Sequence, residues 1–271
     1  MSRFAGALSL VLITATVLAG SAHAQVMQGP PMPIAVDLAK VPVGSWSQYE
    51  VIFGGTPAMT SKVGLVSKGT AGNTFESSLE GGVMALTGAK LLVSMTLPPG
   101  AEKVGRVSRM VMQVKAGDPM EMPLDSGQDK QFTKPDPKAL VGKEKLTVRG
   151  GSFKTKHYRE KTPSGDTYDY WVADGVLPLG LVKLKGELKE NPAMKGGFSF
   201  ELIAQGKDAK VQITKPAKPF DQAALIQQLT GGLGGGAAPP PAAPGGAAPV
   251  APGSGAAPAA PGGAPAAPAK K

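Results

Sequence analysis

No cysteine occurs anywhere in the 271 residues, and that absence sets the first limits. Disulfides are excluded, and so are a zinc site built on thiolates and a lipid-modified N-terminus, each of which needs a cysteine. Without covalent staples the fold has to rest on its hydrophobic core, which a domain of roughly 200 residues is large enough to build. Histidine is almost as scarce, with only His23 and His157 present. A lone histidine cannot build a zinc site without cysteine, no clustered Asp/Glu/His spacing surrounds it, and no Gly-x-Ser-x-Gly elbow accompanies it. His157 therefore reads as a strand histidine among Lys154, Lys156 and Arg159. Asp166, Asp169 and Asp174 cluster around Tyr168 and Tyr170, but Asp166 belongs to a turn and Asp174 precedes a glycine, as turn acids do. No Asp-x-Asp-x-Asp-Gly loop offers calcium a site, and no glycine pair sits between a strand and a helix to hold phosphate. The sequence names no catalytic residue, no metal ligand and no cofactor.

Long apolar runs are also missing, with one exception. Ala5 to Gly20 is an uncharged stretch of 16 residues behind the single positive charge of Arg3, and it closes on Ser21-Ala22-His23-Ala24. It is shorter than the ~20 residues that span a bilayer. A basic start, a short apolar core and small residues at the first and third positions before the cut describe a secretory signal cleaved between Ala24 and Gln25. We therefore expect a periplasmic or extracellular protein with no transmembrane segment after cleavage.

The far end is poor in everything except three residue types. Of the 41 residues from Gly231 to Lys271, 36 are Ala, Pro or Gly. So few side chains larger than Ala cannot offset the entropy of ordering, and glycine lacks the three-residue period of collagen. The expected organisation is a signal peptide over 1–24, a leader over 25–42, an antiparallel β domain over 43–230 and a disordered tail over 231–271. Removing Arg3, Lys270 and Lys271 leaves 26 basic against 20 acidic groups, a net of +6. The lysines alternate with acids, as in Lys183-Leu184-Lys185-Gly186-Glu187, which is the pattern of a solvated sheet face. Anionic wall polymers and lipid head groups are the partners such a charge attracts. Nucleic acid is not, because the chain is exported and lacks interleaved basic and aromatic clusters.

What the domain does contain is strand after strand. Phe198, Phe200, Leu202 and Ala204 alternate with Ser199, Glu201 and Gln205, with Ile203 the exception; Ala209, Val211 and Ile213 alternate with Lys210, Gln212 and Thr214. Period-two alternation means strands with one buried and one wet face, hence an antiparallel sheet. Strands are expected near 44–53, 60–68, 73–80, 89–96, 104–115, 143–149, 152–161, 167–173, 179–189, 197–206 and 208–214. The runs 152–161 and 167–173 should form a hairpin across Pro163 to Asp166. One or two short helices complete the list: a turn or two over Ile34–Lys40, and Asp221–Leu229 with Asp221 as N-cap and Gly231 as stop.

Aromatic residues make up only 5% of the chain, so their positions carry weight. Trp46, Tyr49 and Phe53 come early; Phe153, Tyr158, Tyr168, Tyr170 and Trp171 fall on two adjacent strands. Together with Met110, Met112, Met120 and Met122 they can fill a core or line a greasy cavity. If a cavity exists, Trp46, Tyr49, Phe153 and Trp171 are the candidate binding residues.

Val43-Gly44-Ser45-Trp46-Ser47-Gln48-Tyr49-Glu50-Val51 resembles the opening V-G-x-W-x-x-Y-x-V strand of uncharacterised families of secreted bacterial proteins. Tyr170 to Lys183 resembles their W-V-x-x-x-V-P-x-G-L-V-K stretch, with Leu177 as an additional residue before the proline. The resemblance covers 23 residues. It implies a single large antiparallel sheet curled into a half-barrel, similar in outline to periplasmic lipoprotein carriers, and it implies no activity. The leading expectation is a non-enzymatic envelope protein that binds a lipid or other amphiphile, or an envelope protein partner. A structural or interaction module with a filled core ranks second, and a hydrolase third. N-terminal sequencing of the exported protein should read Gln25 as its first residue; a start at Met1 would contradict the signal-peptide reading.

Overall fold

The computed structural model describes residues 31–82, 90–101, 105–114, 116–124, 131–161, 167–187 and 197–230. The expected signal cleavage, the tail, the Pro163–Asp166 turn, Asp166 and the Gly231 stop lie outside the described residues.

Among the described residues fourteen strands follow in order: β1 Met32–Pro33, β2 Trp46–Phe53, β3 Thr56–Gly69, β4 Gly72–Gly81, β5 Leu91–Leu97, β6 Arg109–Val114, β7 Met120–Glu121, β8 Phe132–Thr133, β9 Leu140–Val148, β10 Gly151–Lys161, β11 Thr167–Val172, β12 Leu181–Glu187, β13 Phe198–Gly206 and β14 Lys218–Pro219. Twelve of them form one open sheet in the order β14-β7-β6-β5-β4-β3-β2-β13-β12-β11-β10-β9; β1 and β8 pair separately and in parallel. The mainly β, single-sheet expectation holds. The sheet is mixed rather than wholly antiparallel, because β14 joins β7 in parallel. That pairing comes from a long return of the chain across the sheet, which alternation within a strand does not report.

Register gives the sheet two different faces. On the first, Tyr158, Tyr170, Leu184, Phe200, Val51 and Met59 stand in one cross-strand row. On the second, the neighbouring row reads His157, Trp171, Lys183, Glu201, Glu50, Thr60 and Glu80. The expected 152–161/167–173 hairpin is present, with Lys161 opposite Thr167 and Lys156 opposite Val172. Ile203, the exception to the alternation of its strand, marks a bulge: Leu202 faces Tyr49, and the next paired residue, Ala204, faces Gln48. Ala204 is thereby carried to the second face, where simple alternation had not placed it.

The first face is covered by a layer of segments rather than a second sheet. Ile34, Leu38, Val41, Val107, Phe132, Val176 and Leu179 pack on Tyr49, Leu65, Phe75, Leu97 and Leu202. Backbone bonds tie this layer together, among them Ala35 N–H to the Leu179 carbonyl at 2.8 Å and Ile34 N–H to Thr133 at 2.7 Å. The Lys68 ammonium donates to the Leu38 and Ala39 carbonyls at 2.6 and 3.0 Å. Residues 31–42, assigned to a leader on composition, are thus integral to the core. Their expected helix is shorter, a 3-10 turn over Leu38–Lys40 capped by Asp37.

Two further expectations concern the C-terminal part. Helix α1, Gln222–Thr230, forms as expected, and the Asp221 carboxylate caps it by accepting the Ala224 N–H at 3.1 Å. Leu225 seats it against Val114 and Met120. The strand expected at 208–214 does not form. That segment instead lies as a strap across the second face, with its N–H groups bonded to the Gly44 carbonyl (from Ala209, 2.9 Å) and to the Glu76 carboxylate (from Gln212 and Ile213, 2.7 and 3.3 Å). Its alternating composition does not give it a covered apolar side: Ala209 and Ile213 are half-buried, but Val211 is 47% exposed. None of the described helices is long and apolar enough to cross a membrane.

Candidate functional site

Two glycines let the strap lie down. Gly44 has φ +91°, and a Cβ there would sit 2.6 Å from the Lys207 carbonyl oxygen; a Cβ on Gly64 would sit 2.9 Å from the Ala209 Cβ. Glu76, only 4% exposed, lies beneath and would be an orphaned buried carboxylate without the two strap N–H groups. Between strap and sheet opens a groove of about 480 Å³, lined by Gln48, Thr60, Lys62, Glu76, Glu80 and Lys90 from the sheet side and by Asp208, Lys210 and Gln212 from the strap. The Lys90 ammonium pairs with Glu80 at 2.8 Å. Lys62 stands 3.8 Å over the Trp46 ring, whose indole N–H donates to Asp208 at 2.6 Å. That bond, with the Asp208 backbone N–H, holds the Asp208 carboxyl below its ordinary value. The groove is polar and carries both signs of charge, so it suits a small charged or hydrogen-bonding ligand and not a hydrocarbon chain.

Further along the same face lies a second cluster. His157 stacks on Trp171 with ring centroids 4.3 Å apart, and its Nε2 meets the Asp169 carboxylate at 2.7 Å while Nδ1 lies 3.6 Å from Glu144. The Trp171 indole N–H donates to Glu144 at 2.5 Å, and Arg159 Nε donates to Asp169 at 2.8 Å. Burial opposes ionisation of Asp169, but the hydrogen bonds from Arg159 and His157 outweigh it and hold its carboxyl below the usual range. Both nitrogens of His157 thus face carboxylates. A triad needs a hydroxyl nucleophile on one of them, so the cluster is not arranged for acyl transfer. Among the described residues no three potential ligands gather to hold a metal ion.

The four aromatic residues singled out from sequence fall in different places. Tyr49 is wholly buried on the first face and its hydroxyl donates to the Leu181 carbonyl at 3.2 Å; burial pushes its phenol pKa up. Trp46 is on the second face beside the strap. Trp171 belongs to the histidine cluster, and half-buried Phe153 sits opposite Leu146 near the sheet edge. Alternation along β2 puts Trp46 on the face opposite Tyr49, whereas Trp171 belongs to the same core cluster as Tyr49 and Phe153 packs against it. The groove residues were not legible in sequence, because Glu76 and Lys62 look like ordinary wet-face residues until the strap crosses them. A buried glutamate two strands from a non-strand segment leaves no periodic trace.

No protein-family model and no curated protein matches the chain. Among solved structures it is similar to a Bacteroides fragilis protein described as having a YmcC-like fold (11% identity over 66% of this chain and 100% of that one, TM-score 0.29). It is similar also to a hypothetical protein of Chlamydia trachomatis (11% identity, 67% and 95% covered, TM-score 0.36) and to MucB (13% identity, 66% and 60% covered, TM-score 0.29). These likenesses are too distant to carry a residue or a role across.

Two substitutions test the cluster. Trp171, 8% exposed, should cost about 3–5 kcal/mol of stability when replaced by Ala, measured by denaturant unfolding. A carboxyl whose pKa is lower in the folded than in the unfolded chain adds stability above its ordinary value, here 3.8, and loses it as pH falls through the folded value. The wild-type protein should therefore weaken on acidification below about pH 4, and Asp169→Asn should flatten that limb while lowering stability at pH 7 by about 1–2 kcal/mol. Equal acid limbs in the two proteins would remove the electrostatic role of Asp169.

Proposed function

We propose that this is an exported, non-enzymatic protein of the cell envelope that works as an interaction module, engaging its partners on the outer surfaces of a filled sheet. The observation that carries the reading is the division of the two faces. The first face is closed by its own covering layer, with Tyr49, Leu65, Phe75, Leu97, Leu179 and Leu202 at 0% exposure, so an apolar ligand would have to displace the core. The second face and the sheet edges carry the charge and the water-facing chemistry, which is where a partner finds hydrogen bonds and ion pairs. Export rests on the N-terminal pattern ending at Ala24.

A second reading has one observation in its favour: the groove under the strap places Lys62, Lys90 and Lys210 beside Glu76, Glu80 and Asp208 around about 480 Å³, enough for a small polar or zwitterionic ligand. An amphiphile would then be held by its head group, with Trp46 at the margin, rather than by its chain.

Native mass spectrometry of the full chain purified from its own envelope, with lipid extraction and with crosslinking before lysis, separates the two. The interaction reading expects the mature mass without a bound small molecule, and a crosslink to a protein partner. A stoichiometric co-purifying amphiphile would overturn it in favour of the carrier reading.

A further inference from the structure

One edge of the twelve-stranded sheet is strand β9, which among the described residues has β10 on one side and no strand on the other. It is nine residues long, and five of the residues from Leu140 to Lys145 are exposed. A Cβ added at Gly142 would meet nothing within 4 Å. On the side of the β9–β10 hairpin away from Leu146 and Phe153, which pack against the core, Lys143 stands directly opposite Lys156 and Lys145 directly opposite Lys154. All four are exposed. Arg149, just past β9, is bonded to Glu50 at 2.7 Å, whereas none of the four lysines has an ion pair among the described residues. Like charges directly opposed across strands destabilise a sheet. Two such pairs in succession form a ladder of four ammonium groups, with strands about 4.8 Å apart and alternate residues about 7 Å apart.

Lysines on an edge strand guard against edge-to-edge pairing. That accounts for Lys143 and Lys145, which are on the edge. It does not account for Lys156, which pairs with Val172 of β11 on its other side and adds repulsion without protecting an edge; Lys154 lies just beyond the β11 pairing, which ends at Lys156. The other side of β9 has a different character: Glu144 is bonded to Trp171, Leu146 is half-buried against Phe153, and Gly142 is bare. The edge therefore presents free backbone groups, a cationic ladder on one side and an apolar position on the other.

We propose that β9 is a docking edge for an extended acidic segment of a partner protein, which adds to the sheet as a thirteenth strand. Its acids stand at alternate positions and face Lys143 and Lys145, with Lys154 and Lys156 reaching over from the next strand. The residue between the acids is non-acidic because it faces Glu144, and the one opposite Leu146 is apolar. Backbone hydrogen bonds to the edge supply the pairing, and the alternation of charge supplies the selectivity. The chain's own tail cannot be the occupant, since residues 231–271 contain no acid. This inference rests on the interaction reading and names the chemistry of its partner.

The test uses the full chain and a capped nine-residue peptide, two glutamates separated by one valine and flanked by alternating threonine and valine, with binding followed by calorimetry. Three controls accompany it: the same composition with the glutamates adjacent, the same peptide N-methylated at alternate residues, and the peptide with lysine in place of glutamate. The expected result is binding of the first peptide only, weakened about tenfold in the Lys143→Gln/Lys145→Gln protein and less in Lys154→Gln/Lys156→Gln. Circular dichroism should show each variant folded, with a Tm equal to or above wild type, since each loses opposed charges. Equal binding of the N-methylated or adjacent-glutamate peptide would make the ladder a general anion surface and overturn strand addition. Absence of any binding to the folded wild-type chain would overturn it as well. A co-purifying amphiphile, by contrast, bears on the interaction reading and leaves this result readable by itself.

Discussion

Because side chains along a strand alternate between faces, a slip of one residue anywhere in the row from Tyr158 to Met59 would turn Tyr170, Leu184, Phe200 and Val51 to the other face and bring His157, Lys183 and Glu201 into the core. Register is thus held by the cost of exposing the apolar row and, equally, by the cost of burying the charged one. The rest of the molecule depends on this arrangement. The covering layer from Ile34 to Val41 and from Val176 to Leu179 has a surface to pack on only while the row holds. The groove and the histidine cluster exist because the other set of side chains is turned outward.

The absence of cysteine sharpens the point. A chain without disulfides has to resist unfolding through packing and hydrogen bonding alone. Here the long-range ties are backbone and side-chain bonds that join distant parts of the chain: Ser47 Oγ donates to the Leu177 carbonyl at 2.5 Å, Tyr49 to Leu181, Lys68 to Leu38, and the strap N–H groups to Glu76. Each fixes one layer to another. The Glu76 contact also shows why a carboxylate can lie nearly buried in the wet face: the strap supplies its partners, and it in turn replaces the strand pairing that the strap lacks.

Much of the fold was legible in local patterns. The alternation of residues 46–53, 140–148, 151–161 and 198–206 marks their strands because each has one covered and one open face, and the turn-free aromatic runs on either side of 162–166 mark the hairpin. The α1 cap at Asp221 was legible for the same reason, since capping is a contact over three residues. Where legibility failed, the controlling contact was distant in sequence. The 208–214 segment has a strand's composition, but its hydrogen bonds go to Gly44 and Glu76; the two-residue strands β1, β7, β8 and β14 are too short to leave a period. Tyr49 and Trp46, three residues apart, seemed to belong together and stand on opposite faces.

The sequence by itself determined an export signal pattern, a cysteine-free β domain, an Ala/Pro/Gly tail and the lack of a metal or nucleophile constellation, because these follow from composition and from contacts within a few residues. Only the tertiary structure decided which face each aromatic occupies, that the chain returns over the sheet to make the polar groove, and that Lys143 and Lys145 stand opposite Lys156 and Lys154 on an edge strand. Those facts depend on strand order, bulges and crossings, which arise from pairing between residues far apart in the chain and leave no mark on any one stretch of it.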